Sequence, residues 1–465
     1  MIKGNLKIKL LGLISTIGLF NIYGIYIKLS SLQLITLSAF LLSILGTLLF
    51  WAFRLSFAFL GSAILLFCRV VTLDEFIHYS SMEIIFFLIG MMIIAGFLKE
   101  IGAFNWLLQR ALIMKNLTAR KFMFALVVTS ALSACIVDEV SSILLMIMII
   151  IEMCEYFEVK PIPFIMASVL ATNIGSAGTV IGNPIGLLIA TKAGLTFEDF
   201  LRFSFPLMII TLFILNFMLN FIFRKELDEL DSNIKRLGAN EFLVTLLSVP
   251  AERKVKIGFA IFISTILFIA LHHRFEVILG LETNTILLIA PLLAASIIMI
   301  WRRDRARSYI ERDVEWWTLL FFIFLFAQAG IMAHTGVAEA LAKNSIMLVA
   351  KNKFMLIGSI LFGGAFVSSA LDNVVVVAGS IPILQGLGEL LHTKGILWWA
   401  LLFGACFGGN ITVVGSTANI MAVGTLERMK KGTIGFGYWL KIGFLVGVVT
   451  LAFIFVALML LPWYR

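Results

Sequence analysis

The residues able to do chemistry in this chain are few, and they fall in four short runs. Two runs place acids or amides in the middle of long apolar stretches. CIVDEVSSILLMI, from Cys135, carries Asp138 and Glu139 with Ser141 and Ser142 just beyond, and ALDNVVVVAGSIP, from Ala370, carries Asp372 and Asn373. The other two mix glycine with amides and hydroxyls. TNIGSAGTVIGNP, from Thr172, holds Asn173, Ser176, Thr179 and Asn183, and GGNITVVGSTAN, from Gly408, holds Asn410, Thr412, Ser416, Thr417 and Asn419. A carboxylate can bind a cation or carry a proton. A glycine-rich break in a helix exposes carbonyls and helix ends that coordinate a cation or orient an anion. Capping of a helix N-terminus is a simpler use for each acid and is compatible with cation binding. Individual Ser and Thr residues more often serve helix packing or bond back to their own helix. Asn173, Asn410 and Asn419 stand out because they lie beside glycines. The four cysteines, Cys68, Cys135, Cys154 and Cys406, show no metal or redox spacing and read as small core residues.

The elements that hold these runs are apolar to an unusual degree. Of 465 residues, 61% are hydrophobic and 14% charged, whereas soluble domains carry roughly a quarter charged residues. A soluble enzyme is excluded. A transmembrane barrel is excluded too, because its strands alternate apolar and polar residues and this chain has unbroken runs such as IIFFLIGMMIIAGF from Ile84. With about 20 apolar residues per crossing, spans are expected near 10–27, 32–52, 55–72, 83–98, 161–190, 205–223, 257–273, 283–300, 316–336, 396–425 and 438–462. Two longer regions, 121–157 and 353–391, are interrupted by Asp138-Glu139 and Asp372-Asn373, and each is either a pair of crossings or a re-entrant hairpin. An ionised Asp at the bilayer centre costs about 2.5–3.5 kcal/mol on insertion scales. None of the four runs contains Lys or Arg, so the acids call for a bound cation, a proton or a water-filled cavity.

The net charge of +9 is a topology signal. With both long regions re-entrant there are eleven crossings, N-terminus inside and C-terminus outside, and 26 of the 36 Lys and Arg residues fall inside. Seven of these lie in the 224–256 linker, whose alternating charges read as a solvated cytoplasmic connector. An internal repeat emerges at the acidic interruptions, since Asp138 and Asp372 lie 234 positions apart. Gly96 matches Gly330 and Gly102 matches Gly336 at the same offset, and Thr179 and Gly182 match Thr412 and Gly415 with a one-residue slip. Five crossings separate equivalent positions, so the halves should be inverted. The expected fold is an all-α polytopic membrane protein with an inverted-topology repeat, about 11 transmembrane helices, two re-entrant hairpins and two broken helices. Its parts are an extra N-terminal transmembrane helix (1–30), a first repeat (31–223), the cytoplasmic linker (224–256) and a second repeat (257–465). Such repeats mark secondary transporters. An intramembrane aspartyl protease, which also needs two membrane Asp residues, leaves the repeat unexplained, and a passive channel is the other remote reading.

At these four runs the sequence resembles the ion transporter superfamily, in particular the arsenite permeases and NhaD-type sodium/proton antiporters, with citrate and dicarboxylate carriers as more distant relatives. Leu371-Asp372-Asn373 is similar to the family's LDN hairpin tip. Asn173-Ile174-Gly175 with Thr179, Gly182 and Pro184 is similar to its first broken helix, and GACFGGNITVVGSTAN from Gly404 to its second. The resemblance implies elevator-type alternating access by a homodimer in the plasma membrane, coupled to protons or sodium and without a cofactor. The partners implied are a small ion substrate and the lipid bilayer, not nucleic acid. Glu139 stands where an amide is usual, and Asn183-Pro184-Ile185-Gly186 where an acid and a further amide are usual. The candidate ion- and substrate-binding set is Asp138, Glu139, Ser141, Asn173, Ser176, Thr179, Asn183, Asp372, Asn373, Asn410, Thr412, Ser416, Thr417 and Asn419, with sodium at Asp138, Asn173, Asp372 and Asn410. The expected activity is sodium/proton exchange or arsenite or anion efflux. A di- or tricarboxylate substrate is the alternative, disfavoured by the missing basic residues in the four runs.

Overall fold

The computed structural model describes residues 6–50, 53–103, 106, 118–136, 139–237, 253–282, 285–341, 343, 352–391 and 394–460; the side chains of Leu6, Ser141, Leu237, His273 and residues 386–391 and 394 are outside the description. Among the described residues the secondary structure is helical and no strand occurs. The chain is a polytopic helical membrane protein. Among the described residues, seven helices are long and apolar enough to cross a bilayer: Lys7–Tyr26, Ser31–Leu49, Met82–Glu100, Ala119–Ile136, Phe197–Ile222, Trp316–His334 and Phe436–Leu460. Shorter apolar helices, among them Arg54–Phe67 and Thr285–Trp301, lie beside these.

Helix starts follow local chemistry. Ser30 and Thr72 each form a reciprocal cap with the residue three positions on, Gln33 and Glu75. We label the helices used below α2 (Ser31–Leu49), α3 (Arg54–Phe67), α5 (Met82–Glu100), α6 (Ala119–Ile136), α7 (Glu139–Tyr156), α8 (Ile162–Gly175), α9 (Pro184–Ala193), α10 (Phe205–Ile222), α11 (Arg224–Leu237), α14 (Thr285–Trp301), α15 (Trp316–His334), α16 (Lys353–Ser368), α17 (Asn373–Leu391), α18 (Lys394–Gly408), α19 (Thr417–Arg428) and α20 (Phe436–Leu460); α1, α4, α12 and α13 are Leu6–Tyr26, Leu73–Tyr79, Arg253–Ala270 and His272–Leu279.

The element order recurs. The starts of α5 and α15, of α6 and α16, and of α7 and α17 are each 234 positions apart, and those of α9 and α19 are 233 apart. In each half a helix pair (α6/α7, α16/α17) is followed by a helix broken by an eight-residue turn (α8/α9, α18/α19). The first arm of each pair packs along the first piece of its own broken helix, α6 on α8 and α16 on α18. The second pieces cross over, with α19 on α7 and α9 on α17. Around this centre α3 packs on α2 and α15, and α14 packs on α5. The last approach is close because Gly90 faces Pro291, where an added Cβ would lie 2.7 Å from the proline Cβ.

The connector after residue 223 differs from the expectation of a solvated linker. Arg224–Leu237 is an amphipathic helix whose Leu227, Leu230 and Ile234 are buried. Asp231 accepts from the Ala119 amide (2.5 Å) and Asn233 donates to the Phe157 carbonyl (2.9 Å), tying α11 to both arms of the first helix pair. The i, i+3, i+7 spacing of those apolar residues is the physical reason. Residues 238–252 lie outside the description.

Candidate functional site

The two helix breaks are built alike. At both, an N-cap side chain starts the second piece: Asn183 Oδ1 accepts from Gly186 N (2.7 Å) and Ser416 Oγ from Ala418 N (3.1 Å). A threonine pins each turn to the tip of its helix pair, Thr179 Oγ1 donating to Cys135 O and Thr412 Oγ1 to Ser369 O, both at 2.5 Å. A residue of the following helical segment satisfies a turn carbonyl in each half, Ser204 Oγ with Ala177 O (2.6 Å) and Trp439 Nε1 with Asn410 O (3.1 Å). Glycine ends both first pieces because the neighbouring backbone leaves no room. A Cβ at Gly175 would lie 2.3 Å from Ala131 O, and one at Gly408 2.4 Å from Ala365 Cα.

A buried amide network joins the two breaks. Asn173 Nδ2 donates to Asn410 Oδ1 (2.8 Å) and Asn419 Oδ1 (2.9 Å), and Asn173 Oδ1 accepts from Ser416 Oγ (3.0 Å). Asn419 Nδ2 donates to Gly409 O (2.7 Å) and Thr412 O (2.8 Å). At the mirrored position Asn183 Nδ2 donates to Ser176 Oγ (2.9 Å) and Cys406 Sγ (3.2 Å). The thiol of Cys406, read from sequence as core filler, therefore belongs to the network.

The acids meet this network at the tips. Ser416 Oγ also lies 3.5 Å from Glu139 Oε1. Asp372 accepts from Val374 N (3.0 Å) with one oxygen and from Thr417 Oγ1 (2.6 Å) with the other, so both oxygens act as acceptors at a helix start. Asn373 is placed for its amide nitrogen to donate to Gly415 O (2.8 Å) and Ala405 O (3.1 Å), with Ser368 Oγ at 2.7 Å. Glu139 and Asp372 are both buried. Asp138 and the side chain of Ser141 lie outside the described residues.

A cavity of about 60 Å³ opens beside these tips, room for a few water-sized ligands. Of the sequence-derived set, Glu139, Asn183, Asp372 and Thr417 line it. Asn173, Ser176, Thr179, Asn373, Asn410, Thr412, Ser416 and Asn419 instead form the hydrogen-bonded framework behind it. Within the sodium set, Asn173 and Asn410 bond to each other, and Asp372 stands with Thr417.

The opposite wall carries residues the sequence reading did not select. Met91 and Met92 of α5, Thr318 and Phe322 of α15, Asp313, Glu315 and Arg54 all line the cavity. Arg54 is one of the Lys and Arg residues that the topology counts on the inside. It is 6% exposed, with its guanidinium carbon 5.1 Å from the centroid of the Phe321 ring. The segment bearing Asp313 and Glu315 is clamped to the end of α5, where Glu100 pairs with Arg302 and accepts from the Tyr309 hydroxyl. Burial, and secondarily Glu100, pushes the Tyr309 phenol up from its ordinary range. Burial likewise raises the Asp313 carboxyl above 3.8, against the opposing pull of Lys99.

Comparison with known proteins agrees with this architecture. A family model described as citrate transporter matches residues 40–350 and 329–464. An uncharacterised transporter of Mycobacterium tuberculosis is 32% identical over 375 residues, covering 79% of this chain and 84% of the relative. The 46 kDa membrane protein of Mycobacterium leprae is 30% identical over 411 residues, covering 85% and 91%. The human P protein is 25% identical over 464 residues, covering 84% of this chain but 55% of that longer protein. The chain belongs to the citrate transporter family of membrane transporters.

Proposed function

We propose that this chain is an ion-coupled secondary carrier in which the two helix-pair tips and the two helix breaks form one site. The observation carrying this reading is the convergence of Glu139 and Asp372 on one cavity, each linked to the cap of α19, Glu139 to Ser416 and Asp372 to Thr417. Two buried carboxylates facing a small cavity, with Arg54 the one cation among its described lining residues, leave negative charge for a bound cation or proton to offset. Occupancy of that place changes the net charge of the site and therefore how readily it crosses the apolar interior. On this reading the helix pairs and broken helices move as a unit against α3, α5, α14 and α15, in elevator fashion, with the N-terminus inside, the C-terminus outside and the protein a homodimer. The coupling ion is a proton or sodium, and the cargo is a small inorganic ion moved by sodium/proton exchange or arsenite or anion efflux.

Arg54 favours a second reading. A basic group on the cavity wall removes the objection, drawn from the four runs alone, to an anionic di- or tricarboxylate substrate. Purified protein in proteoliposomes with an internal pH dye separates the readings. Proton movement triggered by sodium or lithium supports exchange, a response to arsenite alone supports efflux, and a response to citrate alone supports the carboxylate reading. No response to any of these ions or to an imposed pH gradient overturns the coupled-carrier reading.

A further inference from the structure

Arg54 is in an unusual place. It is the first residue of α3, where the partial positive charge of a helix N-terminus disfavours a cation, so helix stability does not explain it. It is buried, and Arg is seldom buried without charge compensation. Phe321 of α15 lies against the guanidinium, and α3 itself packs on α2 and α15, so the charge is anchored to the outer helices. Asp372 belongs to the other body: Val374 N and Thr417 Oγ1 fix it to α17 and α19. Both line the same cavity, and Asp372 and Glu315 are placed to favour the charged guanidinium. Among the described lining residues, one cation faces four carboxylates, Glu139, Asp313, Glu315 and Asp372.

We infer that Arg54 is a positioning residue that serves as a built-in counter-charge for Asp372 when the carried cation has left. Resting on the coupled-carrier reading above, this gives Asp372 a partner that offsets its charge while the emptied tips lie against the outer helices. It also weakens cation binding there, because a fixed positive charge and an incoming cation compete for one carboxylate. Arg54 thus sets release and return of the empty carrier, and it is not the group that anchors the cargo.

The test compares wild type, Arg54→Gln and Arg54→Lys in proteoliposomes, measuring net uptake into cation-free vesicles and exchange with the same cation on both sides. Sodium, lithium and a pH gradient are tried in turn. For Arg54→Gln the expected result is an apparent KM for the cation lowered roughly tenfold, the scale of one close charge–charge coupling, with net uptake reduced and exchange retained. Arg54→Lys keeps the wild-type ratio of net uptake to exchange. The inference is overturned if Arg54→Gln leaves KM and that ratio unchanged, or if net uptake and exchange fall in equal proportion, as loss of a cargo anchor would produce. Should Arg54→Gln not fold, Arg54→Lys decides, since an equal loss of both fluxes there shows that shape and not charge matters. A wild type inactive in every arm overturns the carrier reading itself, a result distinct from all of these.

Discussion

Replacing Asn173 probes the framework behind the cavity. Its carboxamide is fully buried and makes three hydrogen bonds across the interface between the two breaks. Alanine there strands the acceptor oxygens of Asn410 and Asn419. Asn419 cannot turn to compensate, because its nitrogen already serves Gly409 O and Thr412 O, and Asn410 Nδ2 is directed to Leu170 O at 3.3 Å. At about 1–3 kcal/mol per stranded buried acceptor, Asn173→Ala should destabilise by about 2–6 kcal/mol, toward the lower end if a water enters the vacated space. Asn173→Asp should be worse at pH 8, since it turns a carboxylate oxygen toward two acceptors. Protonation restores one donor, so the stability of Asn173→Asp relative to Asn173→Ala should be greater at pH 5 than at pH 8. Denaturant titration of purified protein in mixed micelles, followed by tryptophan fluorescence at pH 5 and pH 8, reads both effects. An Asn173→Ala change within about 0.5 kcal/mol of wild type, the range of a surface substitution, would refute the reasoning, as would Asn173→Asp being the more stable variant at pH 8.

Other outcomes follow from the same packing. Gly175→Ala and Gly408→Ala should each destabilise by about 1–3 kcal/mol or more through overpacking, because the new methyl meets the backbone of Ala131 or Ala365. Gly363→Ala, inside α16 with nothing within 4 Å of the added Cβ, should stabilise by about 0.5–1 kcal/mol; the same titration checks all three. Asp313 is half buried and its carboxyl is shifted upward by burial, so the folded state holds that proton more tightly than the unfolded one. Asp313→Asn should therefore raise the thermal midpoint at pH 7–8, with the gain fading as pH falls below the carboxyl range, and a gain independent of pH would contradict it.

Much of the centre was legible because its signals are compositional. Polar groups are scarce in so apolar a chain, so Asp372, Asn173, Asn410 and the glycine-rich turns stood out, and the 234-residue offset tied them in pairs. The breaks fall at 176–183 and 409–416, inside the two runs chosen for their glycines. What escaped was the wall opposite. Arg54, Asp313 and Glu315 sit at helix ends, where charges ordinarily report topology, and only packing of α3 on α15 brings Arg54 to the cavity. Their separation from the tips is hundreds of positions in sequence for Arg54 and Asp372, with no periodicity linking them. Thr179 and Thr412 were legible only in part. Their type suggested ligands, and packing adds a second use that the sequence did not signal, since their hydroxyls donate to the carbonyls of Cys135 and Ser369. The α11 helix was hidden by its charge, although Leu227, Leu230 and Ile234 carried its buried face.

Coupled flux through Asp372→Asn, reconstituted beside wild type at matched protein density, is the measurement closest to the central claim. The amide keeps the shape and an acceptor for Val374 N or Thr417 but cannot offset a cation's charge. Wild type should move protons in response to the active ion, and Asp372→Asn, folded and monodisperse, should lose that coupled movement. Normal coupled flux through the variant would contradict the claim that this buried carboxylate binds the coupling ion.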